Sequence, residues 1–178
     1  MKYMGASLNG WSTIKSANDP RLRAINIPGT KRTVRLRRGI APVFAAFLAD
    51  WHKEMPERLK LDKGPVDSWV YREARTNTGF SNHASGTAVD LRYDVLKADG
   101  KPHMTKEEMA ILDRILDRYK TADGHRIFAN GEWWNKEDGM HTELSQDWDR
   151  GAKRNTTLKD VKEVQKRLKI NASGVKEV

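Results

Sequence analysis

One short stretch of the chain, GFSNHASGTAVDLRY at residues 79–93, combines residue types that can do chemistry. His83 and Asp90 stand seven positions apart in it, with several small residues between them. A second histidine, His141, follows much later within EDGMHTEL. Two neutral imidazoles and one carboxylate, with a fourth position open to water, are the ligands that a catalytic zinc ion needs. The residue types and their spacing therefore permit a hydrolytic zinc site at these side chains.

Carboxylates around His141 supply candidates for the general base of such a site. A hydrolytic metal site needs a carboxylate that does not bind the metal, because water must give up a proton and the leaving amine must receive one. Asp138, three residues before His141, could reach that water, and its neighbour Glu137 is the alternative. Glu143 lies two residues after His141 and would share its strand face, either as a hydrogen-bond partner outside the metal ligands or as a fourth ligand.

The composition limits the classes of protein to which the 178-residue chain can belong. With 38% hydrophobic residues, the chain can bury a core and hold one domain of ordinary size plus a short appendage. Thirty-three Lys and Arg against 24 Asp and Glu give a formal charge of +9, which favours an anionic partner such as nucleic acid, a membrane surface or an acidic cell-wall polymer. The chain has no cysteine, so disulfides and thiolate metal ligands are excluded.

The first 15 residues contain a lysine but no apolar run behind it, so they do not resemble a secretory signal. The most apolar run, from Ile40 to Trp51, is far shorter than the roughly 20 residues that cross a bilayer. We therefore expect synthesis in the cytoplasm without membrane insertion.

Two helices are predicted from apolar residues at helical spacing. The first runs from about Ala41 to Met55 and is ended by Pro56. The second runs from Lys106 to Lys120, where Thr105 can cap the helix with a glutamate three residues on. Their apolar stripes are expected to form core.

Strands are predicted around these helices. Residues 1–39 are expected to be irregular apart from a short basic strand near residues 33–36. Further strands are predicted at 66–74 and 87–93, and two short strands around a loop are predicted within 125–148. The fold class that follows is α+β, with a small antiparallel sheet carrying the metal site and helices flanking it.

The tail differs in charge from the rest of the chain. Residues 151–178 contain eight basic and three acidic residues, a net charge of +5. Residues 157–170 predict a short amphipathic helix for which the sequence offers no partner. We therefore divide the chain into a catalytic domain at 1–150 and, at 151–178, a basic linker or the start of a truncated wall-binding module.

Three motifs in order carry a family resemblance over about residues 8–148. The stretch SNHASGTAVD resembles the S-x-H-x-x-G-x-A-x-D pattern of the zinc D-alanyl-D-alanine carboxypeptidases and L-alanyl-D-glutamate endopeptidases, which cut peptidoglycan stem peptides. The stretch DGMHTEL is similar to the later acid-x-x-His motif of that family. VYRE matches the tyrosine–arginine pair upstream of the first motif, and NGW resembles the opening of phage lysins of this group.

The resemblance implies a role for each matching residue. His83, Asp90 and His141 would be the zinc ligands. Asp138 would be the general base, and Arg72 would bind a substrate carboxylate or stabilise the developing oxyanion. The implied fold is the hedgehog-like fold of the D-Ala-D-Ala carboxypeptidases.

Two positions depart from the family pattern. Thr142 stands where an aromatic residue usually follows the second histidine, which loosens packing without removing a ligand. Asp138 stands where the carboxypeptidases typically have Glu. The second departure favours the endopeptidases of phage endolysins over the carboxypeptidases.

Several roles stay open at this level. Arg75 competes with Arg72 for the oxyanion, and either could lie in a surface ion pair. Ser81 offers a hydroxyl to a ligand or to the substrate backbone, while Trp133 and Trp134 line a substrate cleft or pack in the core. Three further histidines are expected to be structural or solvated: His52, His103 and His125.

Three functions from different classes follow. The first is a monomeric phage endolysin that cuts bacterial peptidoglycan, between L-Ala and D-Glu, after a holin has opened the membrane; its basic surface would meet anionic wall polymers. The second is a host carboxypeptidase that removes terminal D-Ala. The third is a non-enzymatic basic module that binds nucleic acid or the wall, a function that leaves the metal ligands unexplained. We expect no nucleic-acid partner.

Overall fold

The computed structural model describes residues 5–74 and 79–178, which form a mixed α+β structure as predicted. The helices in these residues are α1 (Ala41–Glu54), α2 (Lys106–Arg118) and α3 (Leu158–Arg167). The strands are β1 (Leu22–Asn26), β2 (Thr33–Arg37), β3 (Val66–Asp67), β4 (Ala88–Leu91), β5 (Phe128–Gly131) and β6 (Asp138–Leu144).

The strands form two small antiparallel sheets. β1 and β2 pair as a hairpin, and the other four strands are ordered β3-β4-β6-β5. Within the larger sheet, the register of β4 and β6 places Asp90 opposite His141 and Ala88 opposite Glu143. The predicted small antiparallel sheet is therefore confirmed, and it carries two of the three candidate metal ligands, Asp90 and His141.

Helix α1 is the centre of the hydrophobic core. Its predicted bounds are confirmed to within one residue, and nine of its side chains are buried. Phe44 and Phe47 contact Phe128 of β5, with ring centroids 4.7 and 4.8 Å apart. Among the helices of the described residues, none has both the length and the apolar character needed to cross a bilayer. The helix joins the larger sheet to the rest of the core.

Helix α2 begins as its sequence predicts. The Thr105 hydroxyl accepts a hydrogen bond from the Glu108 backbone N–H at 3.1 Å, and the Glu108 carboxylate accepts one from the Thr105 N–H at 2.8 Å. This reciprocal pairing satisfies two donors that a helix start otherwise leaves unpaired. Leu112, Ile115 and Leu116 then face the core.

Two of the strand predictions were wrong in extent. The first 39 residues contain a second strand, β1, whose buried Leu22 and Ile25 are three residues apart and so do not show the alternation of a strand. The strand predicted at 66–74 ends after Asp67. From Trp69 the backbone N–H groups bond to Arg35 and then to His83, so the chain leaves the sheet instead of extending it.

The amphipathic tail helix has a partner, contrary to our prediction. Val161 and Val164 of α3 are fully buried in the core cluster that contains α1. After α3, Gly174 adopts a φ of +80° and packs so closely on α1 that an added Cβ would lie 2.6 Å from the Ala45 side chain. The tail therefore completes the main core, while its function as a linker or wall-binding segment stays a prediction.

The packing of α3 predicts that truncating its buried face destabilises the whole fold. We expect Val164→Ala to lower the free energy of unfolding by about 2 kcal/mol, because two buried methyl groups are lost and a cavity remains. Val175→Ala is the matched control, since Val175 is 45% exposed; its effect should stay within about 0.5 kcal/mol. Urea unfolding measures both, and equal effects would show that α3 does not contribute to the core.

Candidate metal centre

His83 sits on a short 3-10 turn, Asn82–Ser85, whose two ends are fixed by neighbouring residues. The Ser81 hydroxyl accepts a hydrogen bond from the His83 backbone N–H at 3.3 Å and so caps the turn. Gly86 ends it with a φ of +71°, and an added Cβ there would lie 2.7 Å from the backbone nitrogen of Arg37. Only glycine satisfies both constraints, so the turn that presents His83 depends on Gly86.

Asp90 is presented by β4. Val89 and Leu91 on either side of it are fully buried in the core, as the alternation of a strand predicts. The Asp90 side chain therefore points to the opposite face of the sheet, where His141 lies on the paired strand.

The predicted ligands meet at one point. His83 Nε2 lies 3.1 Å from Asp90 Oδ1, and His141 Nδ1 lies 3.2 Å from the same oxygen. One donor atom from each residue lies within 4.8 Å of the other two. A tetrahedral ion with bonds of about 2.0–2.1 Å places its ligand atoms roughly 3.3 Å apart. The cluster could therefore hold a metal ion.

The orientation of the His83 ring supports this reading. His83 Nδ1 lies 2.7 Å from the carbonyl oxygen of Ser68, so Nδ1 carries the proton and donates it to that oxygen. Nε2 is then the unprotonated nitrogen. It is buried and, although it is close to Asp90, it has no hydrogen-bond partner among the described residues. A buried lone pair without a donor is an unsatisfied group, which a cation would satisfy.

The imidazole of His141 is oriented by a carboxylate on the side away from Asp90. His141 Nε2 lies 3.0 Å from Glu143 Oε2, which leaves Nδ1 directed at Asp90. Glu143 is fixed by Gln146, whose side-chain amide donates to Glu143 Oε1 at 2.9 Å, and by the amide of Asn82. Glu143 thus lies outside the three-residue cluster and orients His141, the arrangement found behind most metal-binding histidines.

Charge in the cluster favours a cation. Burial opposes ionisation of Asp90, but the hydrogen bond from the His141 imidazole holds the pKa of Asp90 far below its usual range. Burial opposes protonation of His141 as well, yet Asp90 and Glu143 raise the pKa of His141 to about 10. Two carboxylates thus surround one imidazole, and a metal ion could replace the proton that His141 shares with Asp90.

A further buried carboxyl group, that of Asp149, lies close to Glu143. Asp149 accepts hydrogen bonds from the Trp134 indole N–H at 3.1 Å and from the Gln146 backbone at 2.8 Å. Burial, together with the negative charge of Glu143, raises the pKa of Asp149 to about 7. By accepting the hydrogen bond from Trp134, Asp149 fixes the indole ring that lies beside His141. The sequence did not suggest this role for Asp149.

An open cleft of about 710 Å³ borders the cluster. His83, Asp90 and Arg72 all line it, and Ser68, whose carbonyl orients His83, lines it as well. The structure therefore brings Arg72 to the same cleft as two of the candidate metal ligands. Arg75, the alternative to Arg72, lies outside the described residues.

Asp138, the predicted base, is the first residue of β6 and is partly buried. It is not one of the three clustered ligands. The ladder between β5 and β6 is irregular here, since Asn130 pairs with Thr142 but the next residue, Gly131, pairs with Asp138. This bulge breaks the strict alternation of side chains, so Asp138 need not point away from the face that carries His141. The backbone of its neighbour, Glu137, forms an isolated antiparallel β-bridge with Gly100.

The two candidate tryptophans have different surroundings. The Trp134 ring lies 5.3 Å from the His141 ring, centroid to centroid. Trp133 lies under the Arg150 guanidinium at 4.8 Å and packs partly against the core. Both line a second recess of about 340 Å³. The other three histidines are outside the cluster.

Buried asparagines near the site were missed by the sequence analysis. The Asn9 backbone N–H donates to Asn82 Oδ1 at 2.9 Å, and the Asn9 side chain donates to the Thr87 hydroxyl and the Leu144 carbonyl. Asn82 in turn contacts Glu143. The only signal was the NGW motif near the start of the chain, because a polar residue that is buried through distant contacts leaves no local pattern.

Comparison with protein-family models, with curated proteins and with solved structures found no match to this chain.

The cluster predicts metal binding that depends on His83. With Zn²⁺ as the probe ion, we expect His83→Ala to lower the affinity more than about 100-fold, because one of three ligands is lost. His103→Ala is the matched control, because the His103 imidazole bonds to the exposed Asp99 outside the cluster, so its loss should leave the affinity unchanged. Isothermal titration calorimetry measures both, with circular dichroism to verify folding; equal affinities would rule out this cluster as the site.

The contact behind His141 predicts a smaller effect. Glu143→Gln keeps the side-chain shape but removes the charge that orients His141, so we expect Zn²⁺ affinity to fall about 10- to 100-fold. Glu107→Gln, on the exposed side of α2, is the control for loss of one negative charge. If both variants bind as the wild type does, Glu143 does not support the ligand.

Proposed function

We propose that this chain is a zinc-dependent peptidoglycan hydrolase of the endolysin type that cuts the stem peptide between L-Ala and D-Glu. The observation that carries the proposal is the buried cluster of His83, Asp90 and His141, which borders a cleft that also contains Arg72. The motif resemblance supplies the substrate class. In this proposal the protein acts on the wall from within the infected cell, once the membrane has been opened.

The donor set supports zinc as the metal. Two imidazole nitrogens and one carboxylate, with the unpartnered Nε2 of His83 among them, match a catalytic zinc site with an open position. Bound zinc would polarise the scissile carbonyl and lower the pKa of water to about 7. Glu143 keeps the His141 ring oriented, and the Ser68 carbonyl does the same for His83.

Asp138 is proposed to move the proton. Hydrolysis breaks the C–N bond of the amide, while the oxygen of water joins the carbonyl carbon. Asp138 accepts one proton from that water and delivers it to the departing nitrogen as the C–N bond breaks. Its place on the irregular start of β6, three residues before His141, supports this role.

Arg72 is proposed to hold charge in the cleft. Its guanidinium is partly exposed and donates a long hydrogen bond, 3.4 Å, to the neighbouring Glu73 carbonyl. Arginine presents a planar set of donors that matches a carboxylate, such as the side chain of D-Glu, or the oxyanion that forms during hydrolysis. Arg72 and Arg35, which both line the cleft, therefore suit the carboxylates of a stem peptide.

Digestion of purified peptidoglycan tests the proposal. We expect new N-terminal D-Glu ends, identified by mass spectrometry, in samples with zinc and none after treatment with a chelator. Loss of one D-Ala from each stem peptide would instead identify a D-alanyl-D-alanine carboxypeptidase. Absence of cleavage in a protein with zinc bound would exclude both activities.

A pair of neighbouring variants tests the base. Asp138→Asn should reduce kcat by at least about 100-fold, because general base catalysis is lost, while the affinity for zinc stays within a few-fold. Glu137→Gln changes the adjacent acid in the same way and should keep wild-type turnover. Steady-state hydrolysis of a soluble muropeptide measures both variants. The opposite pattern would assign the base to Glu137, and full activity in both would remove the base from this segment.

A further inference from the structure

A second recess adjoins the metal cluster on the side of His141. Its volume is about 340 Å³, and three indole rings line it together with Asn135 and Arg150. The rings belong to Trp133, Trp134 and Trp148, and Trp134 and Trp148 lie 5.7 Å apart. This aromatic recess takes no part in the hydrolysis proposed above.

Two of the three indole rings are held in position by hydrogen bonds from their N–H groups. The Trp134 N–H donates to Asp149 at 3.1 Å, and the Trp148 N–H donates to Gln146 Oε1 at 3.1 Å. Trp148 is nevertheless 60% exposed, the largest exposure of any tryptophan in the described residues. A tryptophan that is anchored at its nitrogen while its ring faces solvent is prepared for a ligand that covers the ring.

The charges at the recess favour a neutral ligand. Arg126 and Arg150 both bind the carboxylate of Asp113, and Arg126 also binds Asp117 at 3.1 Å. Both arginines that line the recess thus have a carboxylate partner. Aromatic faces beside an exposed amide, Asn135, suit a ring that has apolar C–H faces and polar edges, which is the chemistry of a sugar.

The position of the recess fits such a ligand. The Trp134 ring lies 5.3 Å from the His141 ring, so the recess begins beside the proposed site of cleavage. In peptidoglycan, L-Ala is attached directly to the lactyl group of N-acetylmuramic acid. A bond between L-Ala and D-Glu is thus separated from the sugar ring by the lactyl group and one residue, about 7 Å of chain, whereas the terminal D-Ala bond lies several residues further away.

We propose that the recess formed by Trp133, Trp134 and Trp148 binds an N-acetylated hexosamine ring of the glycan strand that carries the stem peptide. This inference rests on the proposed function for its substrate. It makes the enzyme select sugar-linked peptides over free ones, because the ring adds binding contacts next to the scissile bond.

Two substrates with the same peptide test the selection. The ratio of kcat/KM for a disaccharide-linked stem peptide to that for the free peptide should be at least about 10 for the wild-type protein. Trp148→Ala should bring the ratio towards one, and Trp148→Phe should restore part of it. Leu158→Ala, which truncates another exposed apolar side chain that does not line the recess, should leave the ratio unchanged. A wild-type ratio near one would overturn the proposal.

Binding of the sugar without its peptide separates this inference from the proposed function. With the disaccharide of N-acetylglucosamine and N-acetylmuramic acid, saturation-transfer NMR of the full chain should show contact at the ring protons, and Trp148→Ala should abolish that contact. Contact in a protein that cleaves nothing would support the recess and contradict the hydrolase. Cleavage without contact would support the hydrolase and contradict the recess.

Discussion

The antiparallel pairing that sets Asp90 of β4 opposite His141 of β6 is the constraint on which the site depends. Side chains of paired strands alternate between faces, so a slip of one residue would turn one ligand into the core. The neighbouring pair, Val89 and Thr142, occupies the opposite face, and both are fully buried. The hydrophobic core therefore fixes the register, and the register fixes the distance between the ligands.

Burying this many polar groups is unfavourable unless each has a partner. The structure meets the requirement with a chain of contacts from distant parts of the sequence. Asn9 holds Asn82, Asn82 contacts Glu143, and Glu143 holds His141. Within the described residues, His83 Nε2 is the cluster nitrogen for which this network supplies no hydrogen bond. The polar network thus directs an unsatisfied group at the point where the ligands meet.

Sequence patterns predicted what depends on local interactions. The bounds of α1 and the capping pair of α2, Thr105 and Glu108, follow from propensity and short-range hydrogen bonds. The clustering of His83, Asp90 and His141 was predicted because the motifs that contain them resemble those of one zinc peptidase family. In contrast, β1 was missed because its strand geometry comes from pairing with β2, and the place of α3 depends on contact with α1. The asparagines behind the site were missed for the same reason, since their partners are as many as 135 residues away.

The bond from His83 to the Ser68 carbonyl has a thermodynamic consequence. Ser68 lies on the irregular segment after β3, and that segment lines the cleft with Arg72. A ligand that orders this segment also orders the imidazole, so occupancy of the cleft and affinity for a cation are linked. Linkage is reciprocal: the free energy by which one event favours the other is the same in both directions. A ligand that fixes the Ser68 carbonyl in this position would therefore favour cation binding by the cluster, and a bound cation would favour that ligand to the same extent.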